Sequence, residues 1–251
     1  MITVSVVSHG HGEMVGKLII QLINEPTVAQ IILTLNISDF PEVIASEKLI
    51  IIRNNIPLGF SLNHNNAFKL CSQPFFCVLN PDIVLLDNPF EILLECLKNQ
   101  KLSLVAPIIV SPSAIVEDSA REFPTLPNVF RRLFFHSDGR WPIDWGKCVN
   151  YPDWVAGMFM LFTSSGYGGV GGFDERYFLY YEDVDLCRRM RGAGFHFGLC
   201  TKVKVVHHAQ RDSRKNLKFF FWHCQSMIRF LFFSSRIREY KTRLEGKNPN
   251  R

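Results

Sequence analysis

Ile2-Thr3-Val4-Ser5-Val6-Val7-Ser8, followed by His9-Gly10-His11-Gly12 and then by Glu13–Asn24, is the stretch that decides the fold. Its opening residues alternate apolar with small side chains and read as a β-strand. Gly10 and Gly12 loosen the chain, and Glu13–Asn24 predicts a helix. The same alternation continues downstream. Gln30–Leu35 is a second apolar run, bounded by Asn36 and Asp39, and Leu49–Arg53 is a third. Leu62–Leu70 reads as a helix, and Phe75–Leu79 as a fourth strand ending at Asn80-Pro81-Asp82. Strands alternating with helices predict an α/β fold with a mostly parallel central sheet flanked by helices. Such sheets bind ligands beyond the carboxyl ends of their strands. That rule singles out Ser8–His9, Asn36, Asn54–Asn55 and Asn80–Asp82.

Further along, Asn88–Gln100 predicts a helix and Val105–Val110 a strand. Residues 111–153 read as irregular, with five Pro. Asp153–Phe162 is apolar, and the glycine-rich stretch Gly166–Gly172 follows. Glu182–Arg191 has helical spacing stopped by Gly192 and Gly194, Phe197–Val206 reads as a strand leading to His207-His208, and Lys215 onward predicts one or two helices. No repeat or linker divides the chain. The expected organisation is a domain over 1–214, with a donor half (1–105) and an acceptor half (106–214), and a basic, Phe-rich helical segment over 215–251.

The 251 residues suffice for a large core, and 47% are hydrophobic. The net charge of +5 is uneven: residues 202–251 hold 13 Lys+Arg against three Asp+Glu. Such a tail suits anionic lipid head groups or nucleic acid, or is merely a solvated end. Seven scattered Cys form no CxxC pair and no zinc-like cluster, which fits a reducing, cytoplasmic setting. The N-terminus lacks the marks of a signal peptide, and no apolar run reaches about 18 residues, so no spanning helix is expected. Nucleic-acid binding is the weakest reading, because no recognition helix or stacking motif accompanies the basic tail.

Several residues carry chemistry. Asp82 is a carboxylate at the expected ligand edge, where Mg²⁺ or Mn²⁺ on a phosphate would take oxygen ligands; a Pro-Asp turn explains the tripeptide equally. Glu182-Asp183-Val184-Asp185 packs three carboxylates into four residues. They serve either a helix N-terminus or catalysis. His207 could ligate Mn²⁺ or sit satisfied at the surface. Arg121 could grip a phosphate, or pair with Glu117 or Glu122. The helix after Leu58-Gly59-Phe60 could hold an anion at its N-terminus, or simply follow an ordinary turn.

In order, these pieces resemble glycosyltransferase family 2, in its rhamnosyltransferase-like branch. The resemblance is carried by Val4–Ser8, Asn55 through Gly59-Phe60 to Asn65, Leu79-Asn80-Pro81-Asp82, and Arg121 with Phe123-Pro124-Thr125. It continues through Asp153-Trp154-Val155-Ala156-Gly157, Gly171-Gly172-Phe173-Asp174-Glu175 with Phe178, Glu182–Arg189, His207 and Ser213. The family implies a GT-A fold and an inverting sugar transfer from a nucleotide donor. By that resemblance Asp183, paired with Glu182, is the general base. Asp82 and His207 hold Mg²⁺ or Mn²⁺. Ser8, His9, Asn36, Asn55, Gly59, Asn65, Asn80 and Arg121 line the donor, and Trp154, Gly157, Asp174 and Glu175 the acceptor. The implied donor is a dTDP- or UDP-sugar, with rhamnose first, and the implied acceptor is a saccharide or a lipid-linked one.

The chain departs from the family pattern at Leu35-Asn36, where Asp-Asn is common, and in the single acidic residue of the 80–82 triplet. These departures leave room for an alternative, a non-catalytic nucleotide-sugar-binding subunit of a polysaccharide-assembly complex. Phe219–Phe233, flanked by Arg236, Arg238, Lys241, Arg243 and Lys247, suits peripheral contact with the inner face of the membrane. A helix that merely covers the core is the competing expectation.

Overall fold

The computed structural model describes residues 1–38, 41, 43–128, 139–208 and 217–233. Its strands are β1 (Ile2–Ser8), β2 (Val28–Leu35), β3 (Leu49–Arg53), β4 (Phe75–Leu79), β5 (Ile83–Leu85), β6 (Leu104–Val110), β7 (Ala120–Arg121), β8 (Val149–Asn150), β9 (Trp154–Val155), β10 (Phe159–Thr163) and β11 (Phe197–His207). Its helices are α1 (Glu13–Asn24), α2 (Phe60–Lys69), α3 (Pro89–Asn99), α4 (Ser164–Gly169), α5 (Glu182–Gly192) and α6 (Leu217–Phe233).

The main sheet runs β3-β2-β1-β4-β10-β6-β11-β5, with β8 also paired to β11. β3, β2, β1, β4, β6 and β11 run one way, and β10, β5 and β8 the other. The mostly parallel α/β sheet is therefore as the alternation predicts, with an antiparallel β10 wedged between β4 and β6. β6 spans residue 105, so the two halves of the expected domain share this sheet.

Helices cover both faces. On one face Val15, Leu18, Ile19 and Leu22 of α1, at helical spacing, pack with Phe90, Leu93 and Leu97 of α3 against Ile2, Val4 and Val6. On the other, Tyr167, Leu186 and Met190 pack on Phe76, Val78 and Leu104. This two-sided burial explains why β6 is apolar at every position and wholly buried.

Several elements differ from the pattern-based reading. Residues 111–153 contain β7 and β8, each too short to leave a periodic signal. The apolar Asp153–Phe162 run splits into β9 and β10, and the region after Lys215 holds one described helix. Lys215, Ser213 and the cations beyond 233 lie outside the described residues. Among the described residues no helix is long and apolar enough to cross a membrane.

Helix α6 packs on the molecule through few residues. Ser226 and Phe230 are its buried ones. The Ser226 hydroxyl donates to the Leu179 carbonyl at 2.9 Å, and the Arg188 guanidinium lies 4.1 Å from the Phe230 ring centroid. Trp222 meets Phe178 at 4.6 Å, and His223 meets Tyr180 and Tyr181 at 5.5 and 5.4 Å.

Candidate active site

The site is built on an unusual helix. α2 buries Ser61, Asn63, His64 and Asn65, a polar face that would be costly without partners. Asn65 accepts from the Tyr167 hydroxyl (2.7 Å) and the Phe173 amide (3.0 Å), and donates to the Phe173 carbonyl (2.8 Å) and Glu175 (3.1 Å). His64 Nδ1 lies 2.8 Å from the Ser5 hydroxyl, and burial pushes its pKa down to about 3, so its ring is neutral. The helix start is fixed from outside: Phe60 donates its N–H to the Phe178 carbonyl at 2.8 Å. Gly59 is required there, since a Cβ would stand 2.8 Å from that same carbonyl oxygen. Together these contacts bind the loop 173–181 to α2, and α2 to β1.

That loop delivers the acidic run. Tyr180 and Tyr181 both adopt left-handed backbone, φ 70° and 68°, a strained pair of the kind that persists where surrounding structure demands it. The turn launches α5. Within its first turn Glu182 is 5% exposed and Asp185 3%, while Asp183 keeps partial contact with solvent. Asp185 is spent on Arg189 at 2.7 Å. Asp183 accepts from the Gly157 amide (2.9 Å) and the Val184 amide (2.8 Å). Burial raises the pKa of Asp183, against the pull of these amides. Burial, helped by the Asp183 charge, drives Glu182 well above the ordinary carboxylate range, and its Oε2 is buried without a hydrogen-bond partner.

The second acidic station lies at the ends of β4 and β11. His207 Nε2 stands 3.1 Å from Asp82 Oδ2, and His207 Nδ1 stands 2.6 Å from Glu117 Oε2. Burial alone would lower the His207 pKa, but the Asp82 and Glu117 carboxylates raise it to about 9. Asp82 Oδ1 is buried and unpartnered. The two stations meet across one short segment. Asn80 donates its N–H to the Met158 carbonyl at 2.9 Å, and the preceding residue, Gly157, donates to Asp183.

Other sequence-selected residues have varied places. Ser8 accepts the Asn36 amide at 2.8 Å, and the Asn36 side chain bonds Leu58, Asn54 and His9. Asn36 is thus engaged as a brace for the 54–58 loop, and Asn55 is exposed beside it. Arg121 pairs with Asp118, and Glu117 is turned to His207. Trp154 donates to the Glu122 carbonyl at 3.0 Å, and Asp174 binds Arg176. Sequence reading considered Glu117 only as an ion-pair partner of Arg121, because it lies in a stretch without periodicity that gives no sign of its contact with His207.

No family model matches the chain. It is 26% identical over 244 residues to the rhamnosyltransferase WbbL of Escherichia coli K12, covering 92% of both chains. It is 31% identical over 148 residues to the N-acetylglucosaminyl-diphospho-decaprenol L-rhamnosyltransferase of Mycobacterium tuberculosis, covering 55% of this chain and 48% of that protein. Among solved structures it superposes on GalNAc-T7 with UDP, GalNAc and Mn²⁺ (TM-score 0.62, 12% identity), covering 82% of this chain and 43% of that one. It also superposes on S. aureus TarS (TM-score 0.58, 9% identity), covering 97% of this chain and 42% of that one. The chain thus spans nearly the full length of WbbL but about half or less of the others. The likeness to both structures lies in the fold, and the likeness to WbbL extends over nearly the whole sequence. The chain is thus similar to the rhamnosyltransferase WbbL over nearly its whole length, and its fold is that of the GT-A glycosyltransferases.

Proposed function

We propose that this enzyme transfers a sugar, rhamnose first among candidates, from a dTDP- or UDP-linked donor to a saccharide or lipid-linked acceptor, with inversion and with Asp183 as general base. The observation that carries the reading is the pairing of two acidic stations about residues 157–158, Asp183 on one side and Asp82 with His207 on the other.

Inversion needs a base and a leaving-group site on opposite faces of the sugar. Asp183 suits the first role. It is the carboxylate of its run that retains solvent contact, and its raised pKa makes it a stronger base than an ordinary aspartate. The Gly157 amide holds Oδ2, which orients the carboxylate toward an acceptor hydroxyl. Burial and the neighbouring Asp183 charge raise the Glu182 pKa, which disfavours a second charge beside the base.

The residues at the other station fit a divalent cation. Asp82 offers an unpartnered buried oxygen, and an imidazole nitrogen stands next to it. Asp82 and His207 would hold Mg²⁺ or Mn²⁺, which supplies positive charge for the departing diphosphate. Among the described residues no three His, Cys, Asp or Glu side chains form a ready-made cation cage, so donor phosphates and water would complete the coordination. GalNAc-T7, of like fold, was solved with UDP and Mn²⁺.

The exposed apolar residues of α6, among them Leu217, Phe220, Phe221, Phe232 and Phe233, support peripheral contact with an anionic membrane carrying the acceptor.

A thermal-shift screen of dTDP- and UDP-sugars with and without Mn²⁺ tests the proposal. One sugar nucleotide should raise the melting temperature in a Mn²⁺-dependent manner, and the same compound should support transfer to a saccharide acceptor. Absence of stabilisation by every sugar nucleotide would sink it.

A further inference from the structure

Glu117 is fixed by its backbone before its side chain does anything. Its N–H donates to the Ile109 carbonyl at 2.8 Å, and its own carbonyl accepts the Ser119 N–H at 3.0 Å. Residue 109 lies on β6 opposite Val205 of β11, the strand that ends in His207. The carboxylate therefore hangs from one strand onto the imidazole of its neighbour, at 2.6 Å from Nδ1.

An imidazole has two nitrogens and can present either one. A carboxylate that accepts the Nδ1–H removes that ambiguity, fixes the tautomer, and raises the basicity of the other nitrogen. Here the other nitrogen, Nε2, faces Asp82. Asp82 is half-buried, its Oδ1 lacks a partner, and its backbone carbonyl accepts the His208 N–H at 2.8 Å. A solvated surface ion pair would leave the ring free to turn. This ring is held at both ends.

We propose that Glu117 is a positioning residue that holds His207 so that Nε2 and Asp82 together face the divalent cation of the donor diphosphate. It rests on the cation reading given above. Glu117 touches neither donor nor acceptor in this role; it acts through His207 alone. Loss of such a supporting carboxylate typically weakens metal affinity about 10- to 100-fold.

The test is Mn²⁺ binding to the full chain by electron paramagnetic resonance, with UDP or dTDP present, in Glu117→Ala, Glu117→Gln and Asp82→Asn, with folding checked by circular dichroism. Glu117→Ala should weaken Mn²⁺ near the upper end of that range. Glu117→Gln, whose amide oxygen still accepts the Nδ1–H but lacks charge, should fall near the lower end. Activity lost in either variant should return as Mn²⁺ is raised, which a general packing defect would not allow. If Asp82→Asn weakens Mn²⁺ while both Glu117 variants bind it as the wild type does, the positioning role is wrong and the cation reading stands. If Asp82→Asn also binds Mn²⁺ normally, both fail. Should Glu117→Ala not fold, Glu117→Gln alone decides, with wild-type affinity overturning the proposal.

Discussion

The carboxylate of Asp183 accepts the backbone N–H of Gly157 at 2.9 Å. The next carbonyl along, that of Met158, accepts the N–H of Asn80 at 2.9 Å, which places Asp183 and the 80–82 triplet on either side of two residues. Residues about a hundred positions apart in sequence thereby meet at one short segment.

Asp183→Asn keeps the shape of the side chain and removes the carboxylate proposed as the base. Turnover should fall about 10²- to 10⁴-fold, the usual worth of general base catalysis. Donor affinity, read by isothermal titration calorimetry, should stay within about twofold on the same reasoning, because a general base acts on the acceptor hydroxyl. Parallel loss of donor binding would contradict the division of labour between the stations.

Glu182→Gln should change how stability depends on pH. The folded-state pKa of Glu182 is raised above its ordinary value of 4.5. Its contribution to stability is therefore fully present below pH 4.5 and is lost as pH climbs toward the folded value. The Gln variant lacks that loss. Urea unfolding at a series of pH values should show the variant gaining on the wild type from acid to neutral pH; a constant difference would refute the assignment.

Gly59→Ala adds a methyl group against the Phe178 carbonyl, a backbone atom that cannot swing aside. Overpacking of this sort costs about 1–3 kcal/mol. Because the Phe60 N–H bonds the same carbonyl, the 173–181 loop should loosen too, which hydrogen exchange at residues 176–182 would register.

Phe230→Ala removes the main buried anchor of α6, a ring in contact with Arg188 and Tyr181. Large-to-small changes at buried Phe cost about 3–5 kcal/mol. Since α6 packs through few residues, the loss should appear first as faster exchange in 217–233, with the sheet unaffected.

The parallel strands of the sheet were legible in the residues alone, and the antiparallel β10 and the short β7, β8 and β9 were not. Period-two and continuous apolar runs at Ile2–Ser8, Phe75–Leu79 and Leu104–Val110 report burial on one or both faces, and burial is a local demand on each residue type. The sequence also placed Asp82 and Asp183 at element ends, where ligands bind. The tertiary structure decided what no local pattern can carry. α2 begins at Phe60 because a carbonyl of residue 178 caps it, and Asn36 and Asn65 are occupied as braces by groups distant in sequence. It also decided which carboxylates would be spent on partners and which left open: Asp185 goes to Arg189, Arg121 to Asp118, and Glu117 to His207. Hydrogen bonds and ion pairs act over a few ångströms in space, and the chain distance between their partners, 90 residues for Glu117 and His207, leaves no periodic trace in the sequence.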